Sequence, residues 1–93
     1  MIRMELHAPI DEAGEGVSHR LAAEVRAELA RQKRTAGELA EVLGITAHTA
    51  GRRLSGAVPF NVVELNTAAR WLGMDPTVLM QRAERDTAQA VAS

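Results

Sequence analysis

The stretch Thr35-Ala36-Gly37-Glu38-Leu39-Ala40-Glu41-Val42-Leu43-Gly44-Ile45-Thr46-Ala47-His48-Thr49-Ala50-Gly51-Arg52-Arg53-Leu54-Ser55-Gly56 decides the fold. Thr35 and Glu38 have the spacing of a capping box, in which hydroxyl and carboxylate each satisfy a backbone N–H that the first helical turn leaves open. Leu39, Ala40, Val42 and Leu43 supply apolar positions at helical spacing. Gly44 ends that helix, because the residue past a helix end often turns left-handed. Ile45 plugs the turn, and Thr46 caps a second helix. In that helix Ala47, Ala50 and Leu54 share one side. His48, Thr49, Arg52 and Arg53 occupy the others, and Gly56 closes it. Ala40 is small where two helices must cross closely. The sum is helix, tight turn, helix, with a polar and cationic second member. That is the layout of a helix-turn-helix, whose second helix enters a DNA major groove.

Outward from this pair, Leu21, Val25 and Leu29 form an i, i+4, i+8 stripe on a helix expected to begin after Ser18. A basic connection, Gln32-Lys33-Arg34, leads into the capping box. Beyond Gly56, Pro59 shapes a loop anchored by Phe60. Asn61 and Glu64 repeat the capping signature and open a helix through Leu65, Ala68, Ala69 and Leu72, which Gly73 stops. Asp75-Pro76 opens the last helix, with the proline at its first turn and Val78, Leu79 and Ala83 as its apolar side. At the other end, Ile2, Met4 and Leu6 alternate with Arg3, Glu5 and His7, a strand-like pattern closed by Pro9, and residues 11–16 read as a linker. The expectation is an all-α, compact bundle of about five helices containing a helix-turn-helix, with a short N-terminal tail or strand. It divides into residues 1–17 as tail or strand, 18–85 as the domain, and 86–93 as a fraying C-terminal tail.

Leu39-Ala40, Leu43-Gly44-Ile45-Thr46 and Arg52-Arg53-Leu54-Ser55-Gly56 resemble the Cro and phage-repressor (XRE) type of helix-turn-helix protein, of the lambda-repressor-like fold. The resemblance covers roughly residues 18–79. It implies that bases are read by the second, third and seventh residues of the recognition helix counted from Thr46, which are Ala47, His48 and Arg52. It also implies transcriptional regulation, in particular repression or phage immunity. The chain departs from the pattern at Ala36, where many relatives carry a phosphate-binding glutamine, and at Ala50, where a branched apolar residue is usual. Gly51 lowers helix propensity by about 1 kcal/mol relative to alanine.

Ninety-three residues make one domain. Without cysteine there is no disulfide framework and no cysteine-based zinc site. No apolar run approaches the ~20 residues that span a bilayer, and the first residues lack the build of a secretory signal, so a cytoplasmic location without membrane association is expected. The net charge of −1 hides an uneven distribution. Residues 1–17 carry −3 and residues 31–53 carry +3. Screening beyond ~10 Å makes DNA respond to the local field, so the total does not exclude it.

Among candidate contacts, Arg52 is the strongest base reader, because a guanidinium can grip guanine O6 and N7 together. Arg53 lies about 100° around the helix and is expected on phosphate, or with its stem covering the helix pair. His48 is a base or phosphate contact, or a polar surface residue. Thr49 adds a further base contact through its hydroxyl or methyl. Arg31, Lys33 and Arg34 read as phosphate clamps, or as cations neutralising a helix C-terminus. Thr35, Thr46, Ser55 and Asn61 are further phosphate candidates, although capping or loop roles account for them. Trp71, Met74, Val78 and Leu79 are the expected homodimer surface, with a core role as the alternative. His7, His19 and His48 lack metal-ligand spacing; neither a metal nor any other cofactor is implied, and no nucleophile–histidine–acid grouping suggests an enzyme. The expected function is a sequence-specific, double-stranded-DNA-binding regulator acting as a homodimer. The alternative is a protein-interaction module, such as an antitoxin that binds a protein partner.

Overall fold

The computed structural model describes the backbone of residues 2–92 and the side chains of residues 16–85. Five helices follow one another: α1 (Ile2–Arg31), α2 (Ala36–Leu43), α3 (Ala47–Ser55), α4 (Val62–Trp71) and α5 (Pro76–Ala92). The all-α bundle is as the sequence indicated, and no strand occurs among the described residues.

The core forms where the apolar stripes converge. Leu21, Val25 and Leu29 of α1 meet Leu39 of α2, Leu54 of α3, Leu65, Ala68 and Ala69 of α4, and Leu79 and Ala83 of α5. Ala40 and Ala50 are buried where α2 and α3 cross, and their small side chains permit the close approach. Phe60 packs against this core from the loop after α3. α5 lies chiefly along α1 and also packs on α4.

Two boundaries differ from expectation. The strand pattern at Ile2, Met4 and Leu6 and the linker at residues 11–16 both lie within α1. An isolated strand has no ladder to satisfy its backbone, whereas extending an existing helix adds one hydrogen bond for each residue fixed. The packed part of α1 also starts earlier than Ser18, because Val17 rests against the core. At the other end α5 continues to Ala92, past the expected tail boundary. Gln89, Ala90 and Ala92 are adequate helix formers, and no glycine or proline interrupts the run.

Candidate nucleic-acid interface

Helix α2 begins as its sequence dictates. The Glu38 backbone N–H donates to Thr35 Oγ1 at 3.1 Å, and the Thr35 N–H donates to Glu38 Oε1 at 2.8 Å. Gly44 closes the helix at φ 69°, a left-handed conformation that glycine adopts without a Cβ penalty. Thr46 then caps α3, accepting from the Thr49 N–H at 3.1 Å while its hydroxyl reaches Thr49 Oγ1 at 2.9 Å.

Along α3 the faces separate. Ala47, His48, Gly51, Arg52 and Ser55 are exposed, with 48, 51, 52 and 55 on one stripe. Ala50 and Leu54 are buried. Ala47, expected on the inner side with them, faces out instead, which suits base reading better than packing. Thr49 is half-buried, and its hydroxyl is already engaged by Thr46. Arg52 is exposed and its guanidinium has no partner among the described residues. Its backbone carbonyl, by contrast, accepts from Ser55 Oγ at 3.1 Å and from the Val58 N–H at 3.2 Å.

Arg53 behaves differently from its neighbour. It shares the inner stripe with Ala50 and Leu54 at i+3 and i−1, and its side chain is only 17% exposed. Its Nε donates to Glu64 Oε1 at 2.8 Å and its Nη2 to Glu64 Oε2 at 3.2 Å. The phosphate contact expected of Arg53 is therefore replaced, in the free protein, by a side-on ion pair. Glu64 is also the partner of Asn61: the Asn61 N–H donates to Glu64 Oε1 at 3.0 Å, and the Glu64 N–H to Asn61 Oδ1 at 2.7 Å. The Arg53 guanidinium, aided by the Asn61 N–H and opposed by burial, holds the Glu64 carboxyl below the usual range. The same bond raises Arg53 further. Asn61 is thus occupied in capping α4, and Ser55 in closing α3 (its Oγ also accepts from the Ala57 N–H at 3.2 Å).

A second tether comes from α1. Arg26 Nη1 donates to the Leu54 carbonyl at the end of α3. Gly56, buried and left-handed at φ 84°, lies against His19; a Cβ there would stand 2.8 Å from His19 Cδ2. Sequence reading missed this contact and the Arg53–Glu64 pair. Only the stripe shared by Ala50, Arg53 and Leu54 could have signalled the pair.

The basic connection is partly occupied. Arg31 pairs with Glu28, one turn back on α1. Gln32 donates to Glu28 Oε2 at 3.0 Å and to the Leu72 carbonyl at 2.7 Å. The Gln32 amide first, then Arg31, hold Glu28 below the usual carboxylate range. The Arg34 guanidinium stacks on Trp71, 4.3 Å from the ring centre. Lys33, exposed and left-handed at φ 56°, has no side-chain partner among the described residues. Arg82 and Arg85 of α5 join Glu24, Glu28 and Arg31 around a groove of about 520 Å³. Sequence reading did not connect those arginines with Arg31, fifty residues away.

The expected dimer surface needs correction. Leu79 is wholly buried in the core, because Pro76 starts α5 in a register that turns position 79 inward. It offers nothing to a second chain. Trp71 and Met74 are half-buried against the same core, and Val78 is 36% exposed. The most exposed large apolar side chains among the described residues are Val62 and Val63, at 83% and 73%. Among the described residues no group of histidines and acids could hold a metal ion, and no helix is long and apolar enough to cross a membrane.

Comparison with known proteins agrees with this architecture. The profile of the BetR domain matches residues 13–92. Among solved structures the fold is similar to the crystal structure of the clp gene regulator ClgR from Corynebacterium glutamicum, with a TM-score of 0.74. That likeness covers 82% of this chain and 81% of the other, at 21% identity. Comparison with curated protein sequences gives no match. The ground shared with the expected family is the helix-turn-helix.

Proposed function

This chain belongs to the BetR domain family, and from that premise we propose that it is a transcriptional regulator reading double-stranded DNA through α3. It is a binding protein, not an enzyme. The observation that carries the reading is the division of α3. Its inner stripe is locked to α1 and α4, while Ala47, His48 and Arg52 stand exposed together on a helix with both ends fixed. Rigid presentation of a few side chains is what base reading demands. In this reading Arg52 grips a guanine edge, His48 meets a base or phosphate, and Ala47 and Thr49 present methyl groups to the groove. Lys33 and the α2 N-terminus meet phosphates, which position the protein without carrying sequence information. A likeness to the clp gene regulator ClgR agrees with a regulatory role.

The finer parts of the proposal are a homodimer and repression. One recognition helix reads only a few base pairs, and a two-fold pair doubles the contact, with half-sites about 34 Å apart. A dimer over a promoter then excludes polymerase.

Selection of binding sites from random duplexes by the purified protein tests the reading and reveals half-site symmetry. With a selected site in hand, Arg52→Ala should cost about 1–3 kcal/mol and relax preference at one base pair. Lys33→Ala should weaken selected and scrambled duplexes alike and lower the salt slope by about one unit per subunit. Failure to enrich any site would remove sequence-specific binding, and a monomer on the selected site by sedimentation would remove the dimer.

A further inference from the structure

The DNA-facing helix carries two adjacent arginines with opposite fates. Arg52 is exposed and unpartnered, whereas Arg53 is turned onto Glu64 with two of its nitrogens committed. Glu64 is 8% exposed and is the only buried charged residue among those described. Capping α4 does not by itself require this arrangement. Glu38 performs the same local task for α2 while exposed and without an arginine. The burial of Glu64 and its side-on grip of Arg53 therefore serve something beyond the cap.

On the reading of α3 as the DNA-facing helix, we propose that Glu64 is a positioning residue that withholds Arg53 from the DNA backbone and so limits sequence-independent affinity. Arg52 is then the one guanidinium α3 presents to the duplex. The chemistry follows from how arginines contribute to DNA affinity. A guanidinium on phosphate strengthens binding to every sequence by about the same factor, adding affinity for non-specific DNA without adding discrimination. A side-on pair through Nε and Nη2 uses the edge of the guanidinium suited to bidentate contact with phosphate. Glu64 cannot release that edge cheaply, because a carboxylate this buried needs its partner. The Asn61 N–H on the same oxygen fixes the carboxylate to the first turn of α4, so the arginine is held at a defined place. The pair also spans α3 and α4, and thereby sets the angle at which Arg52 and His48 are offered.

The test uses the full chain, a selected duplex, a scrambled duplex and a salt series. In Glu64→Gln the glutamine still caps α4, but the charge holding Arg53 is gone. Affinity for scrambled and selected duplexes alike should rise severalfold, and the salt slope should steepen by about one unit per subunit. Adding Arg53→Leu to Glu64→Gln should cancel the rise, which a merely structural loss would not do. Unchanged scrambled affinity and slope in Glu64→Gln would overturn the proposal, as would a shallower slope. Should Glu64→Gln melt below the assay temperature, Arg53→Gln decides: an unchanged slope supports the proposal. A slope lowered by about one unit means that Arg53 touches phosphate in the native protein, and overturns it. A native protein that binds no duplex removes both this proposal and the DNA reading. Native binding with Glu64→Gln behaving as the native protein removes this proposal alone.

Discussion

Helix α2 closes its N-terminus with Thr35 and Glu38, both within or beside its own first turn, and ends at Gly44, beside which a Cβ would meet nothing within 4 Å. Helix α3 has a local cap at Thr46, but its other end is gripped by Arg26 of α1, by Glu64 of α4, and by close packing of Gly56 on His19. The first helix is fixed mainly by short-range chemistry and the second by its neighbours. A helix held this way has its C-terminal end set by the bundle, while both ends of the helix before it are closed by neighbouring residues in sequence.

The sharpest break of that contrast is at the two terminal glycines, both left-handed. Gly44→Ala meets only the backbone penalty of that conformation, about 1–2 kcal/mol. Gly56→Ala adds a Cβ 2.8 Å from the His19 ring and should cost about 3 kcal/mol or more, with overpacking added to the backbone term. Urea melts of both variants check this. Equal losses would mean that the His19 ring moves aside freely and that this tether is slack.

The two capping carboxylates come next. Glu38→Ala removes one exposed hydrogen bond and should cost about 0.5 kcal/mol. Glu64→Ala removes three and strands the half-buried Arg53, for which about 2–3 kcal/mol is expected; losses for fully buried pairs run higher, but Arg53 keeps some access to water. Equal and small losses in melts would reduce the Glu64 cluster to an ordinary cap.

That pair also shows what was legible in the chain. Both boxes, Thr35 with Glu38 and Asn61 with Glu64, were readable because a cap is a property of four consecutive residues. The same holds for Gly44, Gly56 and the Asp75-Pro76 start, where Asp75 Oδ1 accepts the Thr77 N–H at 2.8 Å. The second partner of Glu64, Arg53, was not readable. It lies eleven residues back on another helix, and only the packing of α3 on α4 decides that Arg53 points inward. Arg34 over Trp71 and Leu79 in the core escaped for the same reason. Each depends on how two helices are rotated against one another, and a lone sequence leaves that rotation open. The start of α1 escaped for a different one: six alternating residues satisfy a strand pattern, but nothing in that pattern supplies a strand to pair with.

Acid provides a gentler handle on the Glu64 cluster. Arg53 holds the folded-state carboxyl below its ordinary value, so its contribution is full above the unfolded-state value and is lost as pH falls through the depressed one. Native stability should therefore decline as the medium is acidified through and below the ordinary carboxylate range. In Glu64→Gln that part of the decline should flatten. Glu28, depressed chiefly by Gln32, supplies a similar slope that persists in the variant. Denaturant midpoints across the pH series report the difference. A variant whose acid limb parallels the native one would mean that the pair contributes nothing to folding.

The smallest expected effect has the opposite sign. Gly51 sits mid-helix on the exposed face of α3, and a Cβ there meets nothing within 4 Å. Gly51→Ala should stabilise the chain by about 0.5 kcal/mol, since alanine loses less backbone freedom on entering a helix. For a domain of this size that is a rise of about 2–4 °C in Tm. If α3 is aimed by Arg26 and Glu64 rather than by its own stiffness, the added helicity should leave the ratio of selected to scrambled DNA affinity unchanged. A higher Tm accompanied by lost discrimination would point elsewhere. Gly51 shares its stripe with His48 and Arg52, so the missing side chain would then be what lets the α3 backbone approach the floor of the groove, and close contact rather than helix angle would govern the reading.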